Sequence, residues 1–357
     1  LFGFVKSKVS DGSEPNQKII DIEVEEKATG EISAGAGVGT TSGSSVSFGV
    51  KENNFLGKGI KLNTAIALSD EKIKGIFSVT NPNYNYSDKL LKTSLQVTET
   101  DKLARFGYES SKTGFTIGTG FEQYTDFYVA PEISIYNEKL KTSSSASDSY
   151  KKQAGNYFDS TFDYRITYDK RNQSWQPSDG FISNFSQSLP IISDNASLTN
   201  YYTFTVYEEI LPETIGKLGF YIKSINSLND DDVRVSKRLY LPAKRLRGFE
   251  SGRVGPVEND DFVGGNFASS VNASATLPNF LKDLENTDFS IFVDAGNVWG
   301  VDYSDTIDDS NKIRSSTGLA IDWYTPIGPL NFSFATPITK ASTDKTERFR
   351  FNLGTTF

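Results

Sequence analysis

The sequence predicts an all-β fold: a 16-stranded antiparallel transmembrane β-barrel preceded by the end of another domain. Three observations carry that reading. From Gly30 onward, segments of about 10 residues alternate apolar and polar side chains between turn-forming residues, the pattern of membrane barrels. The 357 residues hold 13% aromatics, 29 Gly and only 12 Pro, with a mean hydropathy of −0.40. A barrel gives such a value because its lipid-facing and lumen-facing residues average out. No stretch supplies the ~20 mostly apolar residues of a spanning helix, for the uncharged run from Ile32 to Val50 is crowded with Gly, Ser and Thr.

The first element is a hairpin. "LFGFVKSKVS" and "QKIIDIEVEE" read as two strands joined by "DGSEPN", a run of turn-favouring residues. A lone hairpin is marginal in water, so its partners are expected upstream. With no Met in the chain, the sequence reads as a piece of something longer, divided into residues 1–29 and a barrel over residues 30–357.

The barrel strands show best in the last third. In "IRSSTGLAIDWYT" the odd positions Ile313 to Trp323 form one face, and Arg314, Ser316, Gly318, Ala320, Asp322 and Tyr324 the other. In "DFSIFVDAGNVW", Phe289, Ile291, Val293 and Ala295 form the lipid face and Asp294 points inward. The closing segment sets Phe349, Phe351, Leu353 and Phe357 against Arg348, Arg350 and Asn352. An even strand count puts both barrel ends on the hairpin's side. The short turns Asn54–Gly59, Gln176–Phe181 and Thr325–Leu330 then face the periplasm, and the polar connections Tyr128–Asn156, Asn229–Gly265 and Val301–Lys312 face outward. A soluble sandwich or propeller would also contain many short strands. Blade repeats are absent from the sequence, however, and a soluble core leaves the aromatic faces of the late strands unexplained.

Composition removes several functions. Without Cys or His there is no disulfide framework, no Ser-His-Asp or Cys-His nucleophile and no His-ligated zinc. A net charge of −8 and a pI near 4.9 lack the basic footprint of a nucleic-acid partner. No metal or other cofactor is expected, and no enzymatic reaction. The acidic runs at 229–232 and 259–261 read as solvated loop surface, with contact to divalent ions or lipopolysaccharide as the sharper alternative.

One segment does not fit a plain barrel. "RLRGFESGRVGP", from Arg245 to Pro256, is basic and broken by glycine, and "VENDDFVGGNF" follows it. Arg247, Gly248 and Phe249, with "VGP" and "GGN", resemble the Arg-Gly-Phe/Tyr signature in the sixth outward loop of the barrel-assembly and two-partner-secretion superfamily. The likeness covers essentially the whole chain and is nearest to the insertase branch, of an alphaproteobacterial type. "VEEKATGEISAGAGVGTTSG" resembles the junction between a last POTRA domain and the first barrel strand, "NNFLGKG" the first periplasmic turn and "QPSDG" the turn before the ninth strand. "IFVDAGNVW" and "FRFNLGTTF" resemble the family's Phe-x-Asp-x-Gly strand and its closing strand.

The resemblance implies that residues 1–29 are the last strands of a POTRA domain, and that the loop folds back into the lumen with Arg247 bridged to Asp294. A planar guanidinium suits a carboxylate, and Gly248 permits a tight tip. Family members carry an inward acidic residue where this chain has Ser274, so the loop's secondary anchoring is expected to differ.

The resemblance also implies a lateral seam between first and last strands. Gly35, Gly37 and Gly39 share one face of the first strand opposite Ala34 and Ala36, which weakens its packing, and Gly354 can kink the last strand just before Phe357. These glycines could equally serve curvature alone. A terminal aromatic such as Phe357 marks outer-membrane barrels generally. The implied function is folding and insertion of β-barrel proteins at that seam. Partners would be unfolded outer-membrane clients, outer-membrane lipids, lipopolysaccharide and assembly-machine lipoproteins, but no nucleic acid. A TamA-like assembly factor or a two-partner-secretion transporter of the same superfamily is the alternative, followed by a diffusion porin and an outer-membrane enzyme.

Overall fold

A computed structural model describes the chain except residues 1, 15, 41–42, 147, 230, 260, 279–285, 308–311, 326–327 and 355–357. Sixteen antiparallel strands close into a barrel. The first half comprises β1 (Gly30–Gly39), β2 (Gly43–Phe55), β3 (Ile60–Ser69), β4 (Lys72–Asn81), β5 (Leu90–Lys102), β6 (Tyr108–Tyr124), β7 (Phe127–Thr142) and β8 (Gly155–Asp169). The second half comprises β9 (Gly180–Ser193), β10 (Ser197–Leu211), β11 (Thr214–Ser227), β12 (Phe267–Leu277), β13 (Thr287–Trp299), β14 (Arg314–Thr325), β15 (Gly328–Thr339) and β16 (Phe349–Leu353). Lipid leaves no backbone group a water partner, so closure is the only arrangement in which strands can cross it.

Period-2 alternation dictates which face each side chain takes. Along β13, Ile291 and Val293 are exposed outward while Phe292 and Asp294 are buried inward, and β14 repeats this with Leu319 and Trp323 against Ser316 and Ala320. Antiparallel register carries the division round the wall, as in Ala273↔Val293↔Thr317 and Asn272↔Asp294↔Ser316. The even count returns β16 beside β1. Among the described residues no helix is long and apolar enough to cross a membrane.

The hairpin over Phe2–Asp11 and Lys18–Glu26 pairs in register from Val5↔Val24 to Asp11↔Lys18. Both of its faces are exposed. Asn54–Gly59, Gln176–Phe181 and Thr325–Leu330 each overlap a connection between strands, and 326–327 in the last one lie outside the described residues. One boundary needs correcting. Tyr128–Asn156 is not all connection, because Tyr128–Thr142 continues β7 and Gly155 already opens β8. Its alternating aromatic and polar residues pair with both neighbours, and the Ser-rich composition of its second half masked the strand. Of the two acidic runs, residues 230 and 260 lie outside the described residues.

Apart from a small wall cluster of Phe292, Ala320 and Ala335, the buried apolar core of the described residues is not in the wall alone. It is assembled in the lumen by the connection between β11 and β12, called the inner loop below. Leu239, Leu241, Leu246, Phe249 and Val254 pack on Ile225, Ala268 and Val298 of the wall. Val235, Phe262 and Val263 pack on Phe106, Tyr108, Leu140 and Tyr150. At about 25 cal/mol per Å² of apolar surface removed from water, such burial holds a long connection in place that would otherwise be mobile.

Strand length is uneven round the barrel. β6, β7 and β8 have 17, 16 and 15 residues, against 10 for β1 and 5 for β16. An arginine replacing Val293, outward near the middle of β13, is expected to cost about 2–4 kcal/mol. Urea unfolding of the full-length protein in bilayers measures it.

Candidate functional site: the inner loop and the seam

Arg247 reaches the wall at Asp294. Its Nε and Nη2 donate to the two carboxylate oxygens, each at 2.7 Å, and its backbone N–H donates to Oδ2 at 3.1 Å. The Asp294 side chain is fully buried and that of Arg247 is 18% exposed. The guanidinium also lies 3.4 Å from the centroid of the Phe292 ring, a stacking that adds attraction in a partly desolvated site. Two residues apart on β13, Phe292 and Asp294 both face the lumen, so one strand supplies the plane and the counter-ion.

Gly248 follows with φ +89, and a Cβ there would come within 3.2 Å of the Ala335 and Ser316 side chains. Only glycine meets both demands of the left-handed backbone and the close wall. Phe249 is buried in the lumenal core. Arg247, Gly248, Phe249 and Asp294 thus come together at one place.

Several residues at this place went unread in the sequence. Asn272, directly opposite Asp294 in register, donates from Nδ2 to Asp294 Oδ1 and to the Arg245 carbonyl, both at 2.8 Å. It sits two positions before Ser274 and supplies the secondary anchoring that Ser274 does not. The Ser316 hydroxyl donates to the Arg247 carbonyl. Arg350 on β16 donates to the Phe249 carbonyl at 2.6 Å. The inward alternation of β12, β14 and β16 was the available signal.

A second anchor holds the start of the loop, and its sequence signal was the basic run "RVSKR". Arg234, almost wholly buried, meets Glu138 on β7 at 3.0 Å and Asp159 on β8 at 2.6 Å, with its guanidinium 4.1 Å above the Tyr157 ring. Lys237 also reaches Asp159, at 3.1 Å. Burial, then the Arg234 charge, holds its ammonium below the ordinary value despite that carboxylate. Arg238 pairs with Asp302. The loop is therefore a strut from β7 and β8 to β13, beside a polar lumenal cavity of about 1030 Å³.

The seam is short. Among the described residues β16 pairs with β1 only at Asn352↔Gly39 and Leu353↔Val38, and the Thr40 N–H donates to the Phe351 carbonyl at 3.1 Å. β1 meanwhile pairs with β2 along its whole length, Gly30↔Glu52 to Gly39↔Gly43. Gly35 and Gly37 face inward beyond the paired stretch. A Cβ on Gly39 would fall 2.1 Å from Asn352 Oδ1, so the two strands meet closely there. Gly354 takes φ +83, and a Cβ on it would lie 2.4 Å from the Ala36 carbonyl oxygen. Its own N–H donates to the Pro329 carbonyl at 3.0 Å, next to the Leu330↔Leu353 pair of β15 and β16. Phe357 lies outside the described residues.

Removing one partner of a buried pair leaves the other unpaired, at about 3–5 kcal/mol. Asp294→Ala should therefore free the loop, whereas Asn272→Ala, removing a neutral amide, should cost about 1–3 kcal/mol. Limited proteolysis within residues 228–266 of the folded full-length protein ranks them: rapid cleavage in the first and slower cleavage in the second.

Residues 54–357 match the Omp85 superfamily domain. The outer membrane protein assembly factor BamA of Neisseria meningitidis serogroup B is 24% identical over 400 residues, covering 96% of this chain and 49% of that protein. The BamA of Neorickettsia risticii is 23% identical over 348 residues, covering 95% and 46%. The chain thus spans about half the length of these curated relatives. The crystal structure of BamA from Haemophilus ducreyi lacking POTRA domains 1–3 superposes with a TM-score of 0.88 at 24% identity, over 100% of this chain and 76% of that one. That likeness shows the shared fold.

Proposed function

Because the chain belongs to the Omp85 superfamily, we propose that it is the barrel of an outer-membrane assembly factor that folds and inserts β-barrel proteins at the seam between β1 and β16. The single observation that carries the reading is the contrast at β1, fully paired with β2 but paired with β16 at only two positions among the described residues. An intermolecular strand can add to such an edge by main-chain hydrogen bonding, and each ladder bond gives only about 0.5–1.5 kcal/mol net. The terminal strand of an unfolded client would pair with β1 and draw the rest of its barrel into the bilayer.

The short strands beside the seam would thin the adjacent membrane and lower the cost of insertion. The packed inner loop supports assembly over passive diffusion, because it fills part of the lumen that a porin keeps open. Residues 1–29 would be the last strands of a POTRA domain, which delivers clients from the periplasm. Outer-membrane lipid, lipopolysaccharide and lipoproteins of an assembly machine would be its other partners. The process needs no covalent chemistry, metal or other cofactor in this chain.

The test is client folding in liposomes. Full-length protein should accelerate folding of an unfolded outer-membrane protein, followed by its heat-modifiable gel mobility, and Arg247→Ala and Asp294→Ala should each reduce the rate. No acceleration over empty liposomes, or client recovered inside the vesicles, would favour a secretion transporter.

A further inference from the structure

We propose that Arg350 is a positioning residue that ties the last strand to the inner loop, so that opening the seam and releasing the loop are one event. The inference rests on the seam reading above. The Arg350 side chain is 7% exposed and spends its whole fork on partners that belong to loops. Nη1 donates to the Ala243 carbonyl at 2.7 Å, Nη2 to the Phe249 carbonyl at 2.6 Å, and Nε to Glu347 Oε2 at 2.8 Å. The two carbonyls bracket Arg247 and Gly248. Backbone acceptors cannot turn away as side chains do, so their positions follow the path of the loop itself.

The connection from β15 to β16 reinforces the tie. It lies against the loop as a short ladder: the Glu347 N–H donates to Gly248 at 3.1 Å, the Glu250 N–H to Lys345 at 3.0 Å, and the Lys345 N–H to Arg253 at 3.1 Å. At its other end Asp344 pairs with Arg314 of β14 at 2.9 Å, with both side chains fully buried. The connection is thus fixed to the stationary wall through Asp344, and Arg350 stands just past it, on the strand that must move.

Among the described residues three things hold β16. It has five register positions with β15, from Leu330↔Leu353 to Phe334↔Phe349, two with β1, and the loop. With so short a seam ladder, two charge-assisted bonds to the loop are of the same order as the direct hold of β1 on β16. Arg247 and Asp294 fasten the other side of the loop tip to β13. A β16 that swings outward must either drag the tip off β13 or break its bonds from Arg350.

The test reads seam opening without a client. These 357 residues contain no Cys, so Asn352→Cys, inward against Gly39, reports access of a water-soluble maleimide from the lumen. Full-length protein in liposomes is labelled at a rate proportional to the open population. Arg350→Gln should label about ten-fold faster, from the loss of two bonds, and Arg350→Lys, which keeps a single donor group, about three-fold faster. In an Arg247→Ala background, where the tip is already loose, Arg350→Gln should add little; such non-additivity separates coupling from a merely structural role. Unchanged labelling in a folded, heat-modifiable Arg350→Lys protein would overturn the proposal, as would effects of the two substitutions that simply multiply. Labelling needs no client, so failure of the client-folding assay with coupled labelling would remove the insertase reading and leave the tie intact.

Discussion

A barrel in lipid must satisfy its backbone groups between neighbouring strands, because the bilayer offers no substitute for a missing hydrogen bond. That constraint demands a closed wall with each strand paired to the next. Among the described residues it is met generously from β1 round to β15 and sparingly where β16 returns to β1. The seam is therefore the place where the wall depends on something other than its own ladder.

The inner loop supplies that support. Apolar burial gathers it into the lumen, but burial is non-directional and cannot by itself fix where the tip sits. Direction comes from paired charges: Arg234 toward Glu138 and Asp159 at one end, Arg247 toward Asp294 at the other. Buried ion pairs often add little net stability compared with apolar packing, yet they are expensive to break from one side. Such pairs make a poor glue and a good register device, which suits a loop that must hold one position until displaced.

Much of the architecture was legible in the sequence because period-2 alternation is a local signal. The faces of β13 and β14 and the inward aim of Asp294 follow from spacing, and the number of segments gave the strand count even where one boundary was misplaced. Tyr128–Thr142 was misread as connection because its strand runs into a Ser-rich segment, and composition overrode alternation at that boundary. At the loop tip, Arg247, Gly248 and Phe249 stood out because a basic, glycine-broken run cannot be a strand. Asn272, Ser316 and Arg350 did not, since an inward polar residue on a barrel strand is ordinary until the register brings it opposite a particular partner. Ser274 stands where the family's inward acid is expected, and the secondary anchoring comes from Asn272 on the same face of β12, one inward position away, a difference that alternation cannot distinguish.

The central claim is that the seam is the weakest line of the barrel. Amide hydrogen exchange of the full-length protein in nanodiscs tests it most directly. On this account the amides of β1 that point away from β2 exchange far faster than those of β6, β7 and β8, which are paired along most of both sides. Protection of β1 equal to that of β6 through β8 would contradict it.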